Sequence, residues 1–236
     1  MSVRRLGVIG DVHAEHNRLE LALDKLAMLG AEDIICTGDI VDGSGCPNAS
    51  IALLIRDDVK TVRGNHDRWI LENKARHIPD AHHLEGLTEQ SREYLENLPV
   101  QISLDTADGT LLLCHGIADD DLRKVWPGTE RMGVERSKAL DGIIRSGDFS
   151  YVVNGHMHFR TMIHFHSLLL INAGTLRGEH WPGFSLVDFD AQRITAYEFA
   201  GEEVRVAKES PLRHENHVVF RDTQAFNGAW DPVRLF

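Results

Sequence analysis

The apolar residues of the first 65 positions alternate between short continuous runs and a helical spacing. The runs at 6–9 and 34–37 end beside a glycine and the run at 59–62 ends two positions before Gly64, which is typical of buried strands followed by a turn. Between the first two runs, apolar residues recur at the spacing of one helix face: Leu19, Ala22, Leu23, Leu26 and Leu29. Gly30 marks the end of that helix, and a second helix is expected around 51–55. The chain therefore begins β-α-β-α-β, an order that favours an α/β sheet with parallel strands.

The rest of the chain is richer in strands. The pattern predicts a helical region over 67–99, a helix over 133–145, and strands over 110–114, 151–154, 168–172, 184–190 and 193–199. After about residue 204 the periodicity fades into a polar segment with scattered aromatic residues. We therefore expect a domain over 1–204 and a C-terminal tail over 205–236. The tail would pack either on its own domain or on a partner subunit, which leaves a homodimer as an open alternative.

Composition restricts the class of protein. The chain has 236 residues, of which 42% are hydrophobic and 26% charged, as in globular proteins. Collagen-like, fibrous and disordered classes are thereby excluded. Three cysteines argue against a disulfide framework and for a reducing compartment. The apolar runs are too short for a signal peptide or a membrane span, so we expect a cytoplasmic protein with no membrane partner.

The charge balance restricts the kinds of binding partner that we expect. With 25 basic and 36 acidic residues the formal net charge is −11, and most of the excess lies in residues 1–120. An acidic surface disfavours nonspecific binding of nucleic acid or of an anionic membrane. A phosphate-bearing substrate remains compatible with this charge if bound metal ions supply the local positive charge.

Five short polar clusters follow predicted strands. They are Asp11-x-His13, Gly38-Asp39-x-x-Asp42, Gly64-Asn65-His66-Asp67, His115-Gly116 and Gly155-His156-Met157-His158. Carboxylate, amide oxygen and imidazole ligands together suit divalent Mn, Fe, Zn, Co or Ni. Each cluster alone is a weak signal, but the ordered set at successive strand ends is a strong one. In open α/β sheets the carboxyl ends of the strands meet at one crevice, so we expect the clusters to lie together.

This ordered set resembles the calcineurin-like metallophosphoesterase superfamily, over about Leu6 to Phe199. The resemblance implies an α/β fold, a four-layer α/β/β/α sandwich with two mixed sheets and a metal site at the strand ends. It also implies a metal-dependent hydrolase of phosphoric esters that uses two divalent ions and a hydroxide bridging them.

The resemblance assigns a role to each motif residue. The first metal ligands would be Asp11, His13, Asp39 and His158, and the second set would be Asp39 as a bridge, Asn65, His115 and His156. His66 would act on the substrate phosphate or on the leaving group, and Asp67 would orient His66 through a hydrogen bond. Arg68 and Arg177 are candidate contacts for the substrate phosphate, because a guanidinium pairs with phosphate in bidentate fashion.

Departures from the family pattern narrow the class. Gly43 stands where the protein serine/threonine phosphatases of this superfamily carry an arginine, and Asp67 stands where they carry a glutamate. The chain is also short for a member with a capping domain. The small phosphodiesterase type, acting on a phosphate-ester small molecule or a nucleotide, is the expected class.

Other functions remain open at the level of sequence. A phosphomonoesterase or a dinucleoside-polyphosphate hydrolase would use the same ligands. A catalytically silent interaction scaffold also exists in this fold, as in the retromer subunit. The presence of all seven ligands and of His66 favours an enzyme.

Overall fold

The computed structural model describes residues 2–236, which fold into two β-sheets flanked by helices. The helices are α1 (His16–Met28), α2 (Pro47–Arg56), α3 (Asn65–Leu71), α4 (Glu89–Asn97) and α5 (Lys138–Ser146). The first six strands are β1 (Arg5–Ile9), β2 (Asp33–Cys36), β3 (Lys60–Thr61), β4 (Gln101–Thr106), β5 (Gly109–Cys114) and β6 (Tyr151–Asn154). The later strands are β7 (Arg160–Phe165), β8 (Leu169–Ala173), β9 (Gly183–Asp188), β10 (Arg193–Ala200), β11 (Glu203–Pro211), β12 (Val219–Phe220) and β13 (Val233–Arg234).

Both sheets are mixed. The first has the order β11-β10-β9-β1-β2-β3, in which β1, β2 and β3 are parallel. The second has the order β12-β7-β8-β6-β5-β4, with β5, β6 and β8 parallel and β13 alongside β7. None of the helices within residues 2–236 has the length and apolar character needed to cross a bilayer.

Three hydrophobic cores separate four layers. The core between the sheets joins side chains of β1 and β9 to those of β5 and β6, for example Val8 and Tyr151. A second core lies beneath α1, α2 and α4, where the apolar face predicted for α1 is buried. A third core packs α5 and the C-terminal aromatic residues against the other sheet. The predicted α/β/β/α sandwich is therefore confirmed.

Two predicted helical regions differ from the structure. Residues 67–99 are not continuously helical, because an irregular segment over 72–83 separates α3 from α4. Asn73, Ala75 and Asp80 adopt left-handed backbone there, which a helix cannot contain. The helix expected to begin near 133 begins at Lys138, where the Ser137 hydroxyl accepts a hydrogen bond from the Leu140 amide.

The segment after residue 204 lies against its own chain. Strand β11 spans that position and pairs with β10 along its length. Strands β12 and β13 both pair with β7. Phe226 and Trp230 are buried in the third core beside Trp126. In this structure the segment extends both sheets instead of standing apart from them.

Candidate metal centre

Two buried carboxylates, Asp11 and Asp39, form the middle of the site. Asp11 follows β1 and accepts hydrogen bonds from the Thr37 hydroxyl at 2.8 Å and the His156 amide at 2.9 Å. Asp39 follows β2 and accepts from the His66 amide at 2.8 Å. These bonds fix both carboxylates while their remaining lone pairs face a group of imidazoles.

The imidazole nitrogens converge on these carboxylates. His13 Nε2 lies 3.0 Å from His158 Nε2, and His158 Nε2 lies 3.2 Å from Asp11 Oδ2. His115 Nε2 lies 3.3 Å from Asp39 Oδ2 and 3.1 Å from the Asn65 side-chain oxygen. Residues separated by up to 147 positions in the chain thus present donor atoms to one small volume.

The opposite nitrogens of two of these rings show which tautomer each ring would adopt in its neutral form. His13 Nδ1 donates to the carbonyl oxygen of Asp42 at 2.8 Å, and His115 Nδ1 donates to that of Thr37 at 2.7 Å. A carbonyl can only accept, so each Nδ1 carries hydrogen. In the neutral rings each Nε2 then has a lone pair directed into the site, as metal ligation requires.

The donor set fits divalent metal ions. Three overlapping groups have ligand atoms within 4.8 Å of one another: Asp11, His13 and His158; His13, Asp39 and His66; Asp39, His115 and His156. Mixed carboxylate and imidazole donors suit borderline divalent metals. Asp39 and His13 each belong to two of these groups.

Electrostatics within the protein also favour a bound cation. Burial lowers the pKa of His115, but the carboxylates of Asp39 and Asp11 more than offset this and raise it to about 10. Burial alone would raise the pKa of Asp39, but His115 and the other imidazoles hold it well below its ordinary value. The carboxylates therefore need a positive partner, and a metal ion would replace the His115 proton in that role.

The turns that carry the ligands have unusual backbone geometry. Four ligand positions have positive φ: His13 (46°), Asp39 (46°), His156 (63°) and His158 (58°). The left-handed conformation costs roughly 1–2 kcal/mol for a residue with a Cβ atom, and Asp and His tolerate it better than most. Such strain collects where the surrounding structure holds side chains in a functional position.

Two glycines allow the carboxylates to approach the backbone. A Cβ atom at Gly155 would lie 2.1 Å from Asp11 Oδ1, and one at Gly64 would lie 2.2 Å from Asp39 Oδ1. Any side chain at either position would displace a carboxylate from the centre. The glycines of these two motifs thus have a direct steric role in the site.

His66 is paired with Asp42, not with Asp67. His66 Nδ1 lies 2.7 Å from Asp42 Oδ2. Asp67 instead accepts backbone hydrogen bonds from Ile40 and Gly64 at 2.8 and 3.0 Å. The predicted hydrogen bond from Asp67 to His66 is therefore wrong. Asp67 is the third residue of α3, where a carboxylate turns back toward the backbone amide before the helix.

Comparison with protein-family models decides the class. The model of the calcineurin-like phosphoesterase superfamily domain matches residues 5–192. The chain belongs to this superfamily. Its family is one of metal-dependent phosphoesterases, which confirms the resemblance read from the motifs.

Individual relatives of this chain are distant. An uncharacterized protein of Methanocaldococcus jannaschii is 24% identical over 161 residues, which are 65% of this chain and 63% of that protein. The chain thus spans less than two thirds of the length of that curated relative. A metallophosphoesterase structure from Sphaerobacter thermophilus has 22% identity and a TM-score of 0.59, covering 86% of this chain and 90% of the other. A structure described as a novel archaeal phosphodiesterase has 18% identity and a TM-score of 0.52, with 86% and 98% covered.

Sequence reasoning missed an arginine of this candidate site. The Arg76 guanidinium donates to both Asp42 oxygens at 2.9 and 2.8 Å and also to the carbonyl of His82. The His82 amide donates to Asp42 at 2.9 Å. Asp42 is the second aspartate of the Gly38-Asp39-x-x-Asp42 cluster, and that spacing could have identified it. Arg76 carries no comparable signal, because it lies in the irregular segment that the sequence predicted as helical.

The two candidate substrate arginines have different surroundings. Arg68 donates to both oxygens of Asp121 at 2.7 and 3.0 Å and to Glu72 at 3.1 Å. Arg177 lies 3.2 Å from Glu179 and lines a cavity of about 280 Å³ that His13 also lines. The structure thus places Arg177 in the same cavity as His13, whereas Arg68 is held in carboxylate pairs.

Proposed function

We propose that this protein is a phosphodiesterase with a dinuclear metal centre. The observation that carries the proposal is the convergence of six His and Asp donors, with Asn65 beside His115, on one small buried volume. The first ion would be held by Asp11, His13, Asp39 and His158. The second would be held by Asp39, Asn65, His115 and His156. When bound, two such ions activate a water nucleophile near neutral pH and neutralise charge on the phosphate oxygens.

His66 would donate a proton to the leaving group or a hydrogen bond to the phosphate. Its Nδ1 is held by Asp42, which leaves Nε2 to donate a proton to the departing oxygen or a hydrogen bond to a phosphate oxygen. Burial lowers the pKa of His66, but the hydrogen bond to Asp42 and the carboxylates nearby raise it above its ordinary value. Asp42 thus keeps the ring oriented and keeps more of it protonated at neutral pH.

The charges at the rim favour a diester over a monoester. A diester carries one negative charge at neutral pH, whereas a monoester carries nearly two, since the second phosphate pKa is about 6. The arginines beside the centre are paired with acids: Arg18 with Glu15, Arg68 with Asp121 and Arg177 with Glu179. These three guanidinium groups are therefore already neutralised by carboxylates. The similar fold described as an archaeal phosphodiesterase supports the same class.

The proposal is tested with two chromogenic substrates. Metal-stripped protein would be assayed with bis-p-nitrophenyl phosphate and p-nitrophenyl phosphate after addition of Mn²⁺, Ni²⁺, Co²⁺ or Zn²⁺. We expect metal-dependent cleavage that is faster for the diester. Replacing His66→Ala should retain metal and lower the rate by about 10²–10⁴-fold, the usual contribution of a general acid.

The matched control is His166→Ala, since His166 is exposed in the turn between β7 and β8, at the far end of the sheet from the centre. This variant should keep full activity. Preference for the monoester would favour a phosphomonoesterase instead. Folded protein without activity under any metal would favour a silent scaffold.

A further inference from the structure

Three histidines direct Nε2 toward the centre, and their Nδ1 atoms have different hydrogen-bond partners. His13 and His115 donate their Nδ1 hydrogens to backbone carbonyls. His158 has a side-chain partner instead, because its Nδ1 lies 2.7 Å from the Nδ1 of His180. The orientation of His158 thus depends on a residue that a single substitution can remove.

Metal binding would fix the direction of this hydrogen bond. His158 Nε2 lies 3.2 Å from Asp11 and 3.0 Å from His13 Nε2, so it must present a lone pair there to bind a metal ion. The single hydrogen of the neutral ring is then on Nδ1, which donates to His180 Nδ1. His180 is an acceptor and carries its own hydrogen on Nε2.

His158 needs this support more than the other two rings. Its side chain is 21% exposed, compared with 1% for both His13 and His115. Neighbouring atoms therefore restrict the rotation of the His158 side chain less than they restrict that of His13 or His115.

The loop that carries His180 is attached to a ligand of the same ion. The Leu176 amide and the Thr175 hydroxyl both donate to the carbonyl oxygen of Asp11, at 2.8 and 2.7 Å. The His180 amide then donates to the carbonyl of Arg177 at 3.1 Å. The loop thus has a fixed position relative to Asp11, and through His180 it also fixes His158.

We propose that His180 is a positioning residue that sets the affinity of the first metal position, made by Asp11, His13, Asp39 and His158. His180 acts through the His158 ring, holding its orientation and tautomer without contacting the ion. The inference rests on the proposed dinuclear function. Loss of a partner behind a ligating histidine typically lowers metal affinity 10- to 100-fold. The second position lacks His158, so its affinity should not change.

The experiment measures metal binding directly. Metal-stripped wild-type protein and variants would be titrated with Mn²⁺ by isothermal calorimetry, and with Co²⁺ by visible absorption. For His180→Ala we expect two binding classes, one weakened 10- to 100-fold and the other at wild-type affinity. His180→Asn should restore most of the affinity, because the asparagine oxygen occupies the place of the imidazole Nδ1 and accepts the same hydrogen bond. His166→Ala should bind both ions as wild type does.

Each alternative outcome is distinguishable. Wild-type protein that binds two ions, together with a His180→Ala variant of unaltered affinity, would overturn this inference alone. Equal weakening of both classes in His180→Ala, or no recovery in His180→Asn, would also overturn it. Wild-type protein that binds no metal would overturn the proposed function and this inference with it. Thermal unfolding of the stripped proteins should be the same for all variants, since the His180 ring lies at the surface.

Discussion

At the scale of single residues, Asp42 is the residue that orients His66, a role that its motif alone did not indicate. The sequence identified His66 and the donor residues by their order after successive strands. It assigned the orienting role to Asp67, because the two residues adjoin. Adjacent residues at the start of a helix point in different directions, so the neighbour in sequence is not the neighbour in space. The actual partner is supplied by the loop after β2.

The His66–Asp42 pair predicts a change in pH dependence. Asp42→Asn removes the charge that raises the pKa of His66, so the ring should lose its proton at lower pH. Because a general acid must be protonated, the alkaline limb of kcat should move to lower pH. We expect a loss of about tenfold or more at alkaline pH, within the contribution of general acid catalysis.

The measurement is the pH–rate profile for diester hydrolysis. Asp190→Asn is the control, since Asp190 forms an exposed pair with Arg4 far from the site, and its profile should match wild type. An Asp42→Asn profile with the wild-type alkaline limb would show that Asp42 does not act through His66.

At the scale of elements, the site is a property of the turns after the strands. Hydrophobic periodicity predicted most of these strands and therefore the place of each ligand. It could not predict the left-handed backbone at His13, Asp39, His156 and His158, because nothing in the local residue pattern requires it. Nor could it predict the irregular segment over 72–83, whose course is fixed by Arg76 bonding to Asp42.

The close contacts of Gly155, directly after β6, predict the effect of adding one methyl group there. In Gly155→Ala the new Cβ atom would lie 2.1 Å from Asp11 Oδ1 and 2.5 Å from Thr37 Oγ1, so Asp11 must move. We expect at least tenfold weaker binding of the first metal ion, together with about 1–3 kcal/mol of destabilisation from overpacking.

Gly142→Ala is the matched control within a helix. Gly142 lies in α5 with open space around its Cβ position, so alanine should stabilise the fold by roughly 0.5–1 kcal/mol and leave metal affinity unchanged. Calorimetric titration and urea unfolding of both variants would check this. Wild-type metal affinity in Gly155→Ala would contradict the steric role of the glycine.

At the scale of the whole molecule, the centre joins the two sheets. Asp11, His13, Asp39 and Asn65 follow strands of the first sheet, whereas His115, His156 and His158 follow strands of the second. The β-α-β-α-β beginning predicted the first group of strands. The pairing of β9 with β1, and of β12 and β13 with β7, joins segments far apart in sequence, and local patterns carry no information about such partners.

Two bound ions, with Asp39 in both ligand sets, would connect these sheets and create the proposed activity. The most direct test adds Mn²⁺ stepwise to metal-stripped protein and follows diester hydrolysis and the thermal unfolding midpoint at each step. Ligands from both sheets bind only in the folded state, so free metal at 100 times its Kd should stabilise the fold by about 2.7 kcal/mol. We expect activity to reach its maximum at two equivalents per chain, with a rising midpoint. Full activity at one equivalent, or activity independent of metal, would contradict the account.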